Sequence, residues 1–65
     1  MTLPRYLRND IKAYVQGIKE NSSLLDFLWG EVYGSINSAL YSYEISDEQA
    51  RFLINKYLGI GLEDE

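Results

Sequence analysis

The chemistry open to this 65-residue chain is narrow, because it contains neither His nor Cys. That removes the commonest general base, the usual nucleophile–base pairs and the nitrogen and sulfur ligands of zinc. Ten Asp and Glu residues remain, and paired carboxylates would be the route to acid–base catalysis. Their spacing makes no obvious pair. Asp47 and Glu48 suit the positive end of a helix, Glu63, Asp64 and Glu65 fall in an acidic tail, and Asp26 and Glu31 fall on different sides of one helix. No Gly-rich phosphate loop and no EF-hand pattern occurs. The expectation is a protein that is not an enzyme, with no catalytic residue, no metal site and no cofactor.

Two constellations are candidates for binding instead. Arg5, Arg8, Lys12 and Lys19 fall within about 60° of one another on a first helix, and a surface that tracks phosphates has this form. An ordinary solvated face has it too, as does a face that meets the acidic remainder of another copy; these are the favoured readings. Four bases against Asp10 alone make residues 1–19 carry +3, while Arg51 and Lys56 against nine acids make the remainder −7, for a net charge of −4. An acidic whole argues against general nucleic-acid affinity and leaves only the local version on the first helix.

The second constellation lies on a second helix. Gly30, Gly34 and Ser38 form a small-residue strip flanked by Phe27 and Tyr41, on the side away from the apolar stripe. Each Gly costs about 1 kcal/mol relative to Ala in a helix interior. The unbroken stripe around them argues for close packing rather than a flexible break. Three readings stay open: another helix of the same chain packs there, a second copy or a partner does, or the glycines are merely tolerated. Phe52 projects off the main face of a third helix, to cover a bundle end or to join the same partner surface. Of six tyrosines, Tyr14, Tyr43 and Tyr57 are expected on core faces, and Tyr6, Tyr33 and Tyr41 nearer the polar surface.

The elements that must position these residues are three helices, at about 4–19, 23–43 and 47–58. Pro4 suits a first helical turn, and Leu3, Leu7, Ile11, Tyr14 and Ile18 share one side of the first helix, with Val15 at its edge. Gly17 weakens that helix and the polar KENSS ends it. Ser23 with Asp26 approximates a capping box for the second helix, whose apolar stripe runs Leu25, Leu28, Trp29, Val32, Ile36, Ala39, Leu40, Tyr43. In ISDEQARFLINKYLG, Ser46 is the N-cap, Gln49 completes a capping box and Ile45 with Ala50 forms a small staple. Gly59 supplies a left-handed end, with Ile60 folding back on Ile54. The fold class is all-α: a compact three-helix bundle packed on Leu28, Trp29, Val32, Ile36 and Leu53, one domain over 1–62 with a frayed acidic tail at 63–65.

A hydrophobic content of 46%, with 14% aromatic residues, is too rich for disorder. No apolar run approaches the roughly 18 residues of a membrane span, and MTLPRYLRND lacks the apolar core of a signal peptide. A cytoplasmic protein without a membrane partner is expected.

WGEVYGSINSALYSYEISDEQARFLINKYLG, residues 29–59, resembles a type of small uncharacterised helical protein carried on conjugative and other mobile elements of Gram-positive bacteria. The shared pattern is W-x-E-x-Y-G-S-I-N, an I-[ST]-x-E-Q-A cap and a K-Y-L-G ending. The resemblance implies a helical accessory protein and assigns no activity or binding residue. The reading is a small protein–protein interaction module, accessory or regulatory, with a homodimer among its forms. The alternative is a nucleic-acid-binding accessory using the basic face of the first helix. A helix-turn-helix mode fits less well, since its recognition helix would begin with Asp47 and Glu48.

Overall fold

The computed structural model, which describes residues 2–59, turns the three apolar stripes into three helices with no strand. Helix α1 spans Arg5–Lys19, α2 spans Leu25–Tyr41 and α3 spans Asp47–Leu53, the last continued by a π-helical turn at Ile54–Leu58. The all-α three-helix bundle expected from the periodicity is the fold.

Pro4 is the N-cap of α1, and its carbonyl accepts the Arg8 N–H at 3.0 Å. The other end is a backbone device. Asn21 takes a left-handed φ of 53°, the Ser22 N–H reaches the Gly17 carbonyl at 2.9 Å, and the Asn21 N–H reaches Ile18 at 3.2 Å. This pair of bonds is a Schellman motif, which satisfies carbonyls that the helix itself leaves free. The Ser22 hydroxyl then accepts the Leu24 N–H at 3.0 Å. Leu24 is the N-cap of α2 and no side chain caps that helix, so the expected Ser23–Asp26 box does not form. The reversal at Asn21 delays the helix by about two residues.

The same device ends α2. The Glu44 N–H bonds to the Ala39 carbonyl at 2.8 Å and the Tyr43 N–H to Leu40 at 3.1 Å, with Tyr43 at φ 63°. An L-residue with a Cβ is strained there by roughly 1–2 kcal/mol. The turn throws the Tyr43 side chain off the helical phase, leaving it 94% exposed. Tyr43 therefore does not lie on the core face where the stripe placed it.

Helix α3 starts as its sequence spells out. The Ser46 hydroxyl accepts the Gln49 N–H at 3.1 Å, and the Gln49 side chain accepts the Ser46 N–H at 2.8 Å. Ile45 and Ala50, the staple pair, are both buried. Beyond Leu53 the helix widens, which continuous α-helical phase did not predict. About 100° per residue would set Leu53 and Leu58 about 140° apart, whereas an i→i+5 ring returns residues five apart to one side. Both are buried. Gly59, at φ 75°, ends the turn as expected, its N–H bonding to the Ile54 carbonyl at 3.0 Å. Contact of Ile60 with Ile54 and the acidic tail at 63–65 lie outside the described residues.

The core joins all three helices: Leu7 and Ile11 from α1, Val32, Ile36 and Ala39 from α2, and Ala50, Leu53 and Leu58 from the third helix and its π turn, with Ile45 between. Leu7, Val32, Ile36 and Leu53 are its largest fully buried side chains. Trp29 packs half-buried against it, stacked on Tyr33 at 5.4 Å, with its Nε1 donating to the Leu58 carbonyl at 3.4 Å. Leu28, Tyr14 and Tyr57 are also half-buried. Ile18 is half-exposed. Its phase agrees with the apolar side, but it sits in the last turn of α1 beside the Asn21 reversal, at the end of the bundle.

The glycine under closest approach is Gly17, which does more than weaken the end of its helix. A Cβ there would stand 2.7 Å from Leu28 Cδ1 and 3.4 Å from Leu25 Cδ2. Its bare backbone lets the end of α1 meet the start of α2.

Candidate interaction surface

Among the described residues no pocket forms, no group of His, Cys, Asp or Glu could hold a metal ion, and no helix is long and apolar enough to cross a membrane. Several carboxylates have local structural partners. The Ser35 hydroxyl donates to Asp10, joining α2 to α1. Gln16 donates to Glu20 at 2.6 Å, and Asp47 pairs with Arg51 at 3.2 Å across one exposed turn. The Tyr6 hydroxyl donates to Glu44 at 2.6 Å, tying α1 to the turn before α3. That bond to an anionic acceptor holds the Tyr6 phenol above its ordinary range. Asp26 and Glu31 are both exposed on α2.

The back of α2 is the surface the sequence singled out. At about 100° per residue, Phe27, Gly30, Gly34, Ser38 and Tyr41 fall within about 80° of one another, opposite Val32, Ile36 and Ala39. All five are exposed, Phe27 by 63% and Tyr41 by 78%. Among the described residues, a Cβ built at Gly30 or at Gly34 meets nothing within 4 Å. Packing of another helix of this chain against these glycines is thereby overturned. The physical reason is that α1, α3 and the π turn all pack on the core-facing half of α2, and three helices leave its back uncovered.

The strip bears no charge of its own. The two acids of α2, Asp26 and Glu31, lie in its N-terminal half. Leu24, before the helix, and Tyr43, beyond it, are also exposed.

Phe52 belongs elsewhere. It is half-exposed on α3 with the Lys56 ammonium 5.6 Å from its ring centroid, the same Lys56 lying 5.4 Å from the Tyr57 ring. On α1, Arg5, Arg8, Lys12 and Lys19 are all exposed, and none has an ion-pair partner among the described residues. The basic stripe and the glycine strip thus occupy different helices.

No protein-family model, no curated protein and no solved structure matches the chain.

Proposed function

We propose that this protein is a small non-enzymatic interaction module, accessory or regulatory in role, that docks a protein partner on the back of α2. One observation carries the reading: Phe27 and Tyr41 stand exposed at either end of a floor formed by two glycines that none of the described residues covers. Aromatic side chains are enriched at protein interfaces, and bare backbone between them lets a partner approach closely. Alanine would serve an unoccupied helix surface better, by about 1 kcal/mol at each position. For a domain of this size that is a substantial part of a stability of about 5–15 kcal/mol. The likeness of residues 29–59 to mobile-element proteins supports an accessory role on such an element, and a cytoplasmic setting belongs to the same proposal.

The test is site-specific photocrosslinking in the cell that makes the protein, with the photoreactive residue at Gly34 and, as control, at Ala13 on α1. Protein adducts at Gly34 in excess of those at Ala13 are the expected result. Equal yields at the two sites, or none at Gly34, would remove the docking surface.

A second reading is favoured by the four exposed bases of α1, which have no ion-pair partner among the described residues: a nucleic-acid-binding accessory with Arg5, Arg8, Lys12 and Lys19 on phosphates. It requires oligonucleotide binding that weakens steeply between two salt concentrations, as counterion release dictates. Absence of a mobility shift at low salt would dismiss it.

A further inference from the structure

Resting on the second reading, nucleic-acid binding by α1, we propose that the ligand is duplex DNA, held along one phosphate strand without readout of base sequence. Charge in this fold is sorted by element. The exposed acids Asp26, Glu31, Glu44, Asp47 and Glu48 lie on α2, on the turn after it and on α3, whereas α1 exposes Arg5, Arg8, Lys12 and Lys19. The other two bases are Arg51, paired with Asp47, and Lys56, over the Phe52 and Tyr57 rings. The acids on or beside α1 are engaged within the fold. Asp10, about 170° round the helix from the middle of the basic row, accepts from Ser35 of α2, and Glu20 accepts from Gln16. A polyanion is therefore drawn to the outward side of α1 and repelled by the other helices.

The remainder of that side selects among polyanions. Asn9 and Ala13 stand exposed beside the bases, and an Asn amide is a donor that phosphate oxygens accept. A lipid surface needs an apolar face to bury, and the apolar face of α1, with Leu7 and Ile11, is in the core. An acidic protein needs a desolvated aromatic or apolar anchor at the centre of the contact. The exposed Tyr6 and Ile18 lie about 130° and 110° from the middle of the row, so the row holds no such anchor. For the same reason it offers no ring for the base stacking that holds single strands.

Geometry selects the duplex and the strand. The four bases fall within about 60° and run from residue 5 to residue 19, about 21 Å. One strand of the duplex presents a phosphate about every 3.4 Å of axis, about six along the row. A helix seated in a groove would need bases on both flanks to reach both strands. In α1 they lie on one flank and the opposite side is packed on α2, so the helix lies along the rim. Duplex RNA is gripped through contacts spread over successive grooves, which one row does not span. With about four phosphates neutralised, the logarithm of affinity should fall against that of salt with a slope of about −3.6 for duplex DNA. That is a loss of about 150-fold between about 50 and 200 mM salt.

Fluorescence anisotropy of a labelled DNA duplex of about 20 base pairs, titrated with the full chain over that salt range, reads the slope. A slope near −3.6 is expected, with a duplex of scrambled sequence bound equally. Lys12→Gln, at an exposed position, should reduce the steepness by about 0.9. Lys56→Gln, which removes a base from the π turn, should leave it unchanged. Equal losses from the two variants overturn the row as the site. Tighter binding of the single strand, or of duplex RNA of the same length, overturns duplex DNA as the ligand and leaves the nucleic-acid reading standing. Absence of binding to all three at the lower salt ends both.

Discussion

Replacing Gly30 and Gly34 together by Ala puts opposite demands on one chain in its two states. Both positions are exposed, and a Cβ at either meets no atom of the described residues within 4 Å. In the monomer the change is thus one of backbone propensity alone, about 1 kcal/mol of stabilisation at each site and about 2 in total. In a domain of this length 1 kcal/mol moves the melting temperature by about 4–8 °C, so the dilute double variant should melt roughly 10 °C higher. With a partner docked on the back of α2 the two methyls enter the centre of the contact, where overpacking costs about 1–3 kcal/mol per site, and docking should weaken by at least tenfold. Circular dichroism melts at micromolar concentration read the first effect. The yield of protein photoadducts from a photoreactive residue at Ser38 reads the second. A melting temperature that fails to rise in dilute solution would refute the exposure of this face in the monomer. A rise without loss of photoadducts would show that no partner backbone approaches the glycines.

Other substitutions report on the turns and the core. Ser46→Ala should cost about 1 kcal/mol, because it removes the acceptor for the Gln49 N–H; an unchanged urea midpoint would argue against the cap. Tyr43→Gly should stabilise the fold by about 1 kcal/mol through relief of the left-handed strain at φ 63°, measurable in the same denaturation. Gly17→Val should destabilise by about 1–3 kcal/mol, since even a Cβ there stands 2.7 Å from Leu28 Cδ1, and a stable Gly17→Val protein would contradict the close approach of α1 to α2. Tyr6 has its folded pKa raised above 10.0 by the bond to Glu44. Its contribution is therefore complete below pH 10 and is lost as pH climbs through the raised value. Alkaline ultraviolet titration should show one late-ionising tyrosine that disappears in Tyr6→Phe.

Helix phase needed only the chain itself. Leu7, Ile11, Val32, Ile36, Ala39, Ala50 and Leu53 are buried because the period of about 3.6 residues makes one stripe of them wherever the helices finally sit. The start of α3 was equally local, since the Ser46 and Gln49 side chains make both capping bonds within four residues. The polar KENSS placed the end of α1 at Lys19, where it stands, but how α1 and α2 close was not legible in that way. They close through backbone bonds at Asn21 and Tyr43, which need a left-handed residue but no particular side chain. A tyrosine there looked like the next member of an apolar stripe.

The division between the two kinds of information is clearest at the glycines. Composition and spacing alone determined three amphipathic helices, the absence of His and Cys chemistry, a basic face on α1 and a strip of small residues on α2. Whether a glycine is crowded or bare depends on distances between elements, which local spacing does not encode. Tertiary packing pressed Leu28 onto Gly17 and left Gly30 and Gly34 open to solvent, because α1, α3 and the π turn all crowd onto one side of α2.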